Sequence, residues 1–329
     1  MSAIDAGAAP QPRSARLRRW AVPLALLALA VAGAVLLPRA LYVVLALDIL
    51  LYGLFAVSVD LLLGFGGLLS FGHAAFWGSA GYVAGLAAKE LRLAFPLAAL
   101  AGTLAAMAIA VPIGYLSIRR RGIYFAMVTL AFAQMLFYIA NEWRDVTGGE
   151  NGLQGIPRLG FDGRSVGRSA DFYTAALPLI FIGYLAAWRI VHSPFGHVLV
   201  AIRDNEARAQ ALGYPTARYK LIAFVLSAGL AGLAGSLFAI GHGFASLENL
   251  HWSKSGEVVL MSVLGGIGTL WGSVLGAALV LLLRDWLSGI TDASGAVTGA
   301  VVVALVLGFR RGIWATAGDQ LRRLGRRSG

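Results

Sequence analysis

The 329-residue chain has no cysteine, which excludes disulfides and thiolate metal sites and says little about compartment. Its five histidines stand singly at positions 73, 192, 197, 242 and 251, and none belongs to an H-E-x-x-H pair. Only three lysines occur, Lys89, Lys220 and Lys254, and none follows a glycine, so there is no phosphate-binding P-loop. No nucleophile, acid–base pair or ligand set is gathered in any short stretch, which leaves an enzyme reading without residues to carry it. Scarcest of all is charge: 13% of residues, against about 25% in an ordinary soluble domain.

What the chain has instead is apolar surface, with 58% hydrophobic residues and a mean hydropathy of +0.75. No soluble fold could hide that much. A bilayer core about 30 Å thick takes about 20 apolar residues per helix, so the length accommodates roughly eight to ten spans with short connections. The net charge of +11 and the pI near 10.4 would suggest nucleic acid in a soluble protein, but here the excess of basic residues in cytoplasmic loops explains them, and no nucleic-acid partner is expected.

Residues 1–12 are small, polar and Pro-containing, and with Arg13, Arg16, Arg18 and Arg19 they form a basic tail over 1–19 that is expected to be disordered and cytoplasmic. The apolar run from Trp20 to Leu37 imitates a signal peptide, but another apolar segment follows at once, so a retained first span is expected. Further apolar segments cover 41–63, 71–88, 94–118, 122–140, 172–191, 219–241, 256–270, 271–289 and 296–309. The pattern predicts an all-α polytopic membrane protein of about ten helices, with a permease domain over 20–313 and a basic tail over 314–329. The 256–289 pair is short for two crossings and crowded with Gly265, Gly266, Gly268 and Gly272, so eight spans plus two re-entrant pieces is the alternative.

Orientation follows from the basic residues. Four at 13–19, three at 119–121, five between 189 and 220 and six from 310 onward fall on one side, eighteen of the 27 in all. Both termini and the 192–218 connection are therefore expected in the cytoplasm, and the turn-rich 141–171 loop outside.

Several stretches carry chemistry or packing. The glycine-dense Gly64 to His73 is where a chain can break its helix around a polar path or simply re-enter a close-packed bundle. Gly64, Gly66, Ser70, His73 and Thr129 are the candidates for the translocation path, with His73 better suited to a hydrogen-bonded helix start than to a ligand. Gly229, Gly232 and Gly235, then Gly268, Gly272 and Gly276, repeat at helical spacing and predict close helix pairs. Asp48, Asp60 and Glu257 lie in or near apolar runs; Asp48 is expected to be deepest, and the other two, near segment ends, to be structural. From Ala201 to Gly213 a helix is expected, capped by Asp204 or Asn205, favoured by Glu206 in its first turn and stopped by Gly213. Its face of Ala207, Ala211 and Leu212 lacks the aromatic residues of a lipid-surface helix and suits a protein groove.

Five blocks, Leu61 to Tyr82, Arg119 to Met135, Thr147 to Pro157, Ser193 to Tyr214 and Val263 to Ala278, resemble in content and order the LivM-type permease of branched-chain amino acid ABC importers. The resemblance covers about 41–313. It implies an ABC importer permease fold and a bacterial inner-membrane heterodimer with a second, homologous permease. It also implies two cytoplasmic ATPases, which would bind the ATP and magnesium this chain has no cofactor site for, and a periplasmic binding protein. It makes Ala201, Ile202, Arg203, Asp204, Asn205, Glu206, Ala207, Arg208, Ala211, Leu212 and Gly213 the coupling helix that meets the ATPase. Two departures stand out: Arg208 replaces the second Ala of the E-A-A pattern and Gly213 lies seven rather than six after Glu206, while His197 stands where a permanently charged base is frequent. A related branch carries urea or short amides. A proton- or sodium-coupled carrier is the reading from another class, and would show more intramembrane carboxylates and internal repeats.

Overall fold

The computed structural model describes residues 41–160, 165–290, 294–308, 312 and 314. The chain divides into two compact units, Met1–Val43 and Val44–Gly329, and the architecture below is that of the second. The expected first span at 20–37 and both basic tails lie outside the described residues, apart from Trp314.

Nine of the ten expected segments are helices. α1 (Val43–Asp60), α2 (His73–Lys89), α3 (Phe95–Ser117), α4 (Ile123–Glu142) and α5 (Ser169–Val191) are followed by two short helices, α6 (Pro194–Asp204) and α7 (Glu206–Ala211). Then come α8 (Thr216–His242), α9 (Trp252–Gly265), α10 (Trp271–Ser288) and α11 (Ser294–Gly308). Among the described residues six are long and apolar enough to cross a membrane: α1 with its extension to Phe65, α3, α4, α5, α8 and α10. The other three of the nine segments are shorter helices, α2 with 17 residues, α11 with 15 and α9 with 14, so among the described residues the expected count of about ten spans is not confirmed.

Local sequence explains the ends. Pro96 opens α3, where its missing N–H costs nothing, and Gly243 at φ +75° closes α8. α1 does not stop at Asp60 but widens into a π-helical turn over Leu61–Phe65, after which the glycine-dense stretch carries the chain back into the bundle. α2 starts at His73, whose Nε2 lies 2.7 Å from Ser227 Oγ, well inside the 27-residue α8. At 1.5 Å per residue Ser227 is roughly 17 Å from one end of α8 and roughly 22 Å from the other. So α2 begins mid-bundle. α9 does too: Ser255 Oγ in its first turn accepts from Ala74 N at 2.8 Å.

The core is the α2–α3–α8 trio, whose packing needs small residues. A Cβ at Gly235 would run into the Trp77 carbonyl, one at Gly102 into the Ala80 carbonyl, and one at Gly232 would stand 2.6 Å from Ala106 Cβ. α9 and α10 pair the same way, Gly276 against the Met261 carbonyl and Gly272 against that of Gly265. Gly232 and Gly235, and Gly272 and Gly276, are packing devices, as expected, whereas Gly268 lies in the turn between α9 and α10 at φ +78° and serves the turn instead. Trp77 fills the centre, stacked on Phe55 at 4.5 Å and flanked by Tyr52 and Phe238.

The 141–171 loop is ordered where described. β1 (Leu153–Gln154) pairs antiparallel with β2 (Phe244–Ala245) just beyond α8, and Leu159 O accepts from Phe95 N at 2.7 Å. That loop therefore caps the bundle end where α8 finishes and α3 starts. α6 and α7 sit at the opposite end.

Candidate coupling site at the α6–α7 end

α6 starts at a stop-and-start signal: Ser193 accepts from Gly196 N at 3.3 Å, and Pro194 occupies the first helical position. Its buried residues Gly196, Leu199 and Ile202 recur every three positions and form one face. The single helix expected over 201–213 is in fact two. Asn205 is extended, at φ −157° and ψ 97°, so it ends α6 and caps α7, its side chain accepting from Arg208 N at 2.9 Å. Asn is the residue that breaks a helix cheaply here, because its side chain replaces the lost backbone partner. Gly213, at φ +86°, closes α7, with Tyr214 N bonding to Ala209 O at 3.1 Å and Gly213 N to Gln210 O at 2.9 Å. These are the paired bonds of a Schellman ending.

Three attachments hold the segment from behind. Glu206 accepts from Lys220 Nζ at 2.6 Å and lies 3.3 Å from Arg121 Nε, joining the α3–α4 turn to the start of α8. Thr216 Oγ1 adds a bond to the same carboxylate at 3.3 Å. Lys220 is buried, so this pair is internal: Glu206 stands in the first turn of α7, as expected, and also fastens α7 to α8. Phe195 stacks on Tyr219 with ring centres 5.4 Å apart. Arg203 reaches across to the glycine break and donates from Nη1 to Gly64 O at 2.5 Å, while its Nε and Nη2 hold Asp204. In front the segment is bare: Ala201, Ala207, Arg208, Ala211 and Gly213 are exposed, and Leu212 is 72% exposed.

The candidate path residues are brought together but locked. Ser70 Oγ accepts from Gly72 N, Thr129 Oγ1 donates to Ala126 O and accepts from Phe71 N, and all three of Ser70, His73 and Thr129 are buried. Gly64 and Gly66, also buried, lie in and just after the π turn.

The intramembrane charges are arranged differently from the expectation. Asp60 is the deeply buried carboxylate, fully enclosed, with Oδ1 accepting from Gly268 N at 2.7 Å and Oδ2 from Leu270 N at 3.0 Å. Asp48 instead pairs at 3.4 Å with His242, the last residue of α8, because α1 is already one turn old when it passes that end. Glu257 is no segment-end charge: it stands inside α9 between Lys254 at 3.1 Å and Arg284 of α10 at 3.4 Å. Sequence reasoning did not find the Glu206–Lys220 pair or the seat of Asp60. Their one signal was that Lys220 and Asp60 stand near the edges of apolar runs.

A bundle of long apolar helices interrupted by shorter ones that start mid-bundle, with a glycine break largely enclosed by protein, fits the construction of a membrane transport permease. The chain belongs to the family described as branched-chain amino acid transport system / permease component, whose pattern matches residues 41–309. It is 30% identical over 289 residues to the high-affinity branched-chain amino acid transport system permease protein LivM of Salmonella typhimurium strain LT2, covering 80% of this chain and 67% of that one. To LivM of Escherichia coli strain K12 it is 30% identical over 288 residues, covering 79% and 67%. A shorter likeness, 33% over 148 residues and 44% of this chain, links it to 40% of the autoinducer 2 import system permease protein LsrC of Salmonella paratyphi B. No solved structure matches.

Proposed function

We propose that this chain is one permease half of an ATP-driven ABC importer that moves branched-chain amino acids across a bacterial inner membrane by alternating access. In this reading the ten hydrophobic segments form the membrane domain, both termini and the 192–218 connection are cytoplasmic, and the 141–171 loop is periplasmic. The partners are a second homologous permease, two ATPases holding ATP and magnesium, and a periplasmic binding protein.

The observation that carries the reading is the α6–α7 segment, fastened to the bundle by Glu206, Phe195 and Arg203 and uncovered on its other side at Ala207, Ala211 and Leu212. A lipid-surface helix presents bulky apolar residues and a basic face; this one presents small residues and mixed charge, which suits the groove of a soluble ATPase. Amino acids are favoured as cargo because the LivM likeness spans 80% of the chain, whereas the LsrC likeness spans 44%.

The path itself we place along the α9 face of Ser253, Gly256, Glu257 and Leu260, which is open to different degrees and turns toward Arg284. Charges at that depth avoid acyl chains and line water or protein. The buried Ser70–His73 stretch backs it, Phe71 lying 3.9 Å from where a Gly256 Cβ would stand. Because the chain has no native cysteine, Ser253→Cys and Leu260→Cys in the assembled complex are expected to react with a water-soluble thiol reagent, and Leu104→Cys on exposed α3 is not. Equal silence at all three would remove this face from the path.

The whole reading is tested by reconstituting the complex in liposomes with its ATPases and binding protein and measuring ATP-dependent uptake. Ala207→Trp is expected to overfill the ATPase contact at about 1 to 3 kcal/mol. At about 1.4 kcal/mol per factor of ten, this weakens association by roughly 5- to 140-fold. Co-purification of the ATPase that is unchanged in Ala207→Trp would end the coupling assignment.

A further inference from the structure

The glycine break between α1 and α2 connects the α6–α7 segment to the turn joining α9 and α10. The π turn over Leu61–Phe65 carries one residue more than α-helix geometry takes, a distortion common at functional sites. The N–H groups of Gly66, Gly67 and Leu68 all turn to Leu62 and Leu63, so the Gly64 carbonyl is left for Arg203. Gly67, at φ +66°, brings the backbone against the arginine stem, where a Cβ would stand 2.7 Å from Arg203 Cγ.

On its other side Gly64 touches the seat of Asp60, since a Cβ there would collide with both Asp60 Oδ1 and Gly268 N. Asp60 in turn holds a turn of strained backbone. Gly266 and Gly268 have positive φ, and Leu270 sits at φ +46°, where a residue with a Cβ is held only by its surroundings. From that turn α9 runs to mid-bundle, where Ser255 meets the start of α2.

We infer that Arg203 and Asp60 are positioning residues of a strut that carries displacement of the α6–α7 segment to the α9–α10 hairpin; this rests on the coupling role proposed above. Arg203 is the one long, partly exposed side chain in the series, held at three nitrogens by Gly64 O and Asp204 Oδ1; every later link is backbone or the buried Asp60 carboxylate. An end-to-end connection of this kind moves as one piece, so cutting it separates ATP hydrolysis from transport without removing either partner.

The test uses the complete reconstituted complex and reads uptake per ATP hydrolysed. A Cβ on Gly67 would lie 3.5 Å from Arg203 Cβ, within disulfide range, and no native cysteine competes. In Gly67→Cys/Arg203→Cys the reduced complex is expected to lose several-fold in uptake per ATP, and oxidation to restore it, because the disulfide replaces the strut. Oxidation that leaves the ratio unchanged, or lowers it, overturns the inference. Asp60→Asn, which keeps the shape and gives up one acceptor, is expected to lower the same ratio several-fold. A merely structural role would lower protein yield, uptake and hydrolysis together and leave the ratio alone, which also overturns it. A wild-type complex without ATP-dependent uptake would defeat the proposed function itself, whereas normal wild-type uptake with unaltered ratios in both variants defeats only the strut.

Discussion

Gly235→Val is expected to abolish accumulation of folded protein, while Gly229→Val on the same helix is expected to be tolerated with a modest loss. At Gly235 the first atom of any side chain meets the Trp77 backbone, its carbonyl, carbonyl carbon and Cα, so α2 and α8 would have to separate. Backbone cannot rotate aside, and the cost exceeds the roughly 1 to 3 kcal/mol of ordinary overpacking. At Gly229 the nearest atoms are Met107 Cγ and Sδ, both at 3.1 Å, on a flexible side chain. Gly167→Val, with nothing within 4 Å, serves as the neutral control. The monodisperse fraction after detergent extraction measures the effect, and equal yields for Gly235→Val and Gly167→Val would show that the two helices are not in backbone contact.

Glu206→Gln is expected to cost about 3 to 5 kcal/mol, because it leaves the Lys220 ammonium buried without its counter-charge. The Lys220 side chain is 7% exposed and Glu206 18%, so water cannot substitute. Arg121, 71% exposed, adds little to the pair, at most about 1 kcal/mol. In Glu206→Gln/Lys220→Met no charge is stranded, and most of the stability is expected to return. Thermal unfolding in detergent and the rate of tryptic cleavage after Arg208 and Arg218 report on the attachment of α7 to α8. If the double variant is no more stable than Glu206→Gln, the pair is not the fastening it is taken to be. Because Glu206 is tied to Lys220, substitutions there are folding lesions, and Ala207→Trp is the cleaner probe of the proposed ATPase contact.

The segments were legible because a bilayer solvent leaves so little choice: runs of about 20 apolar residues have no other stable state. The glycine repeats were legible as packing for the same reason, since close approach is the main source of helix affinity in lipid. The mid-bundle starts of α2 and α9 were not. A hydropathy run says how many residues avoid water, not at what depth the helix starts, and His73 and Ser255 are placed mid-bundle by Ser227 and Ala74, partners 154 and 181 residues away.

Sequence alone thus determined the class of protein, the nine helical segments seen among the described residues and, through five ordered blocks, the family. These rest on composition and local periodicity, which survive without knowledge of contacts. Only the tertiary structure decided that Asn205 divides the 201–213 segment into two helices, that Asp60 rather than Asp48 is the enclosed carboxylate, and that Glu206 belongs to Lys220. Each of these depends on which backbone amide or side chain arrives from a distant part of the chain. A carboxylate's surroundings, unlike its hydropathy, are not written beside it.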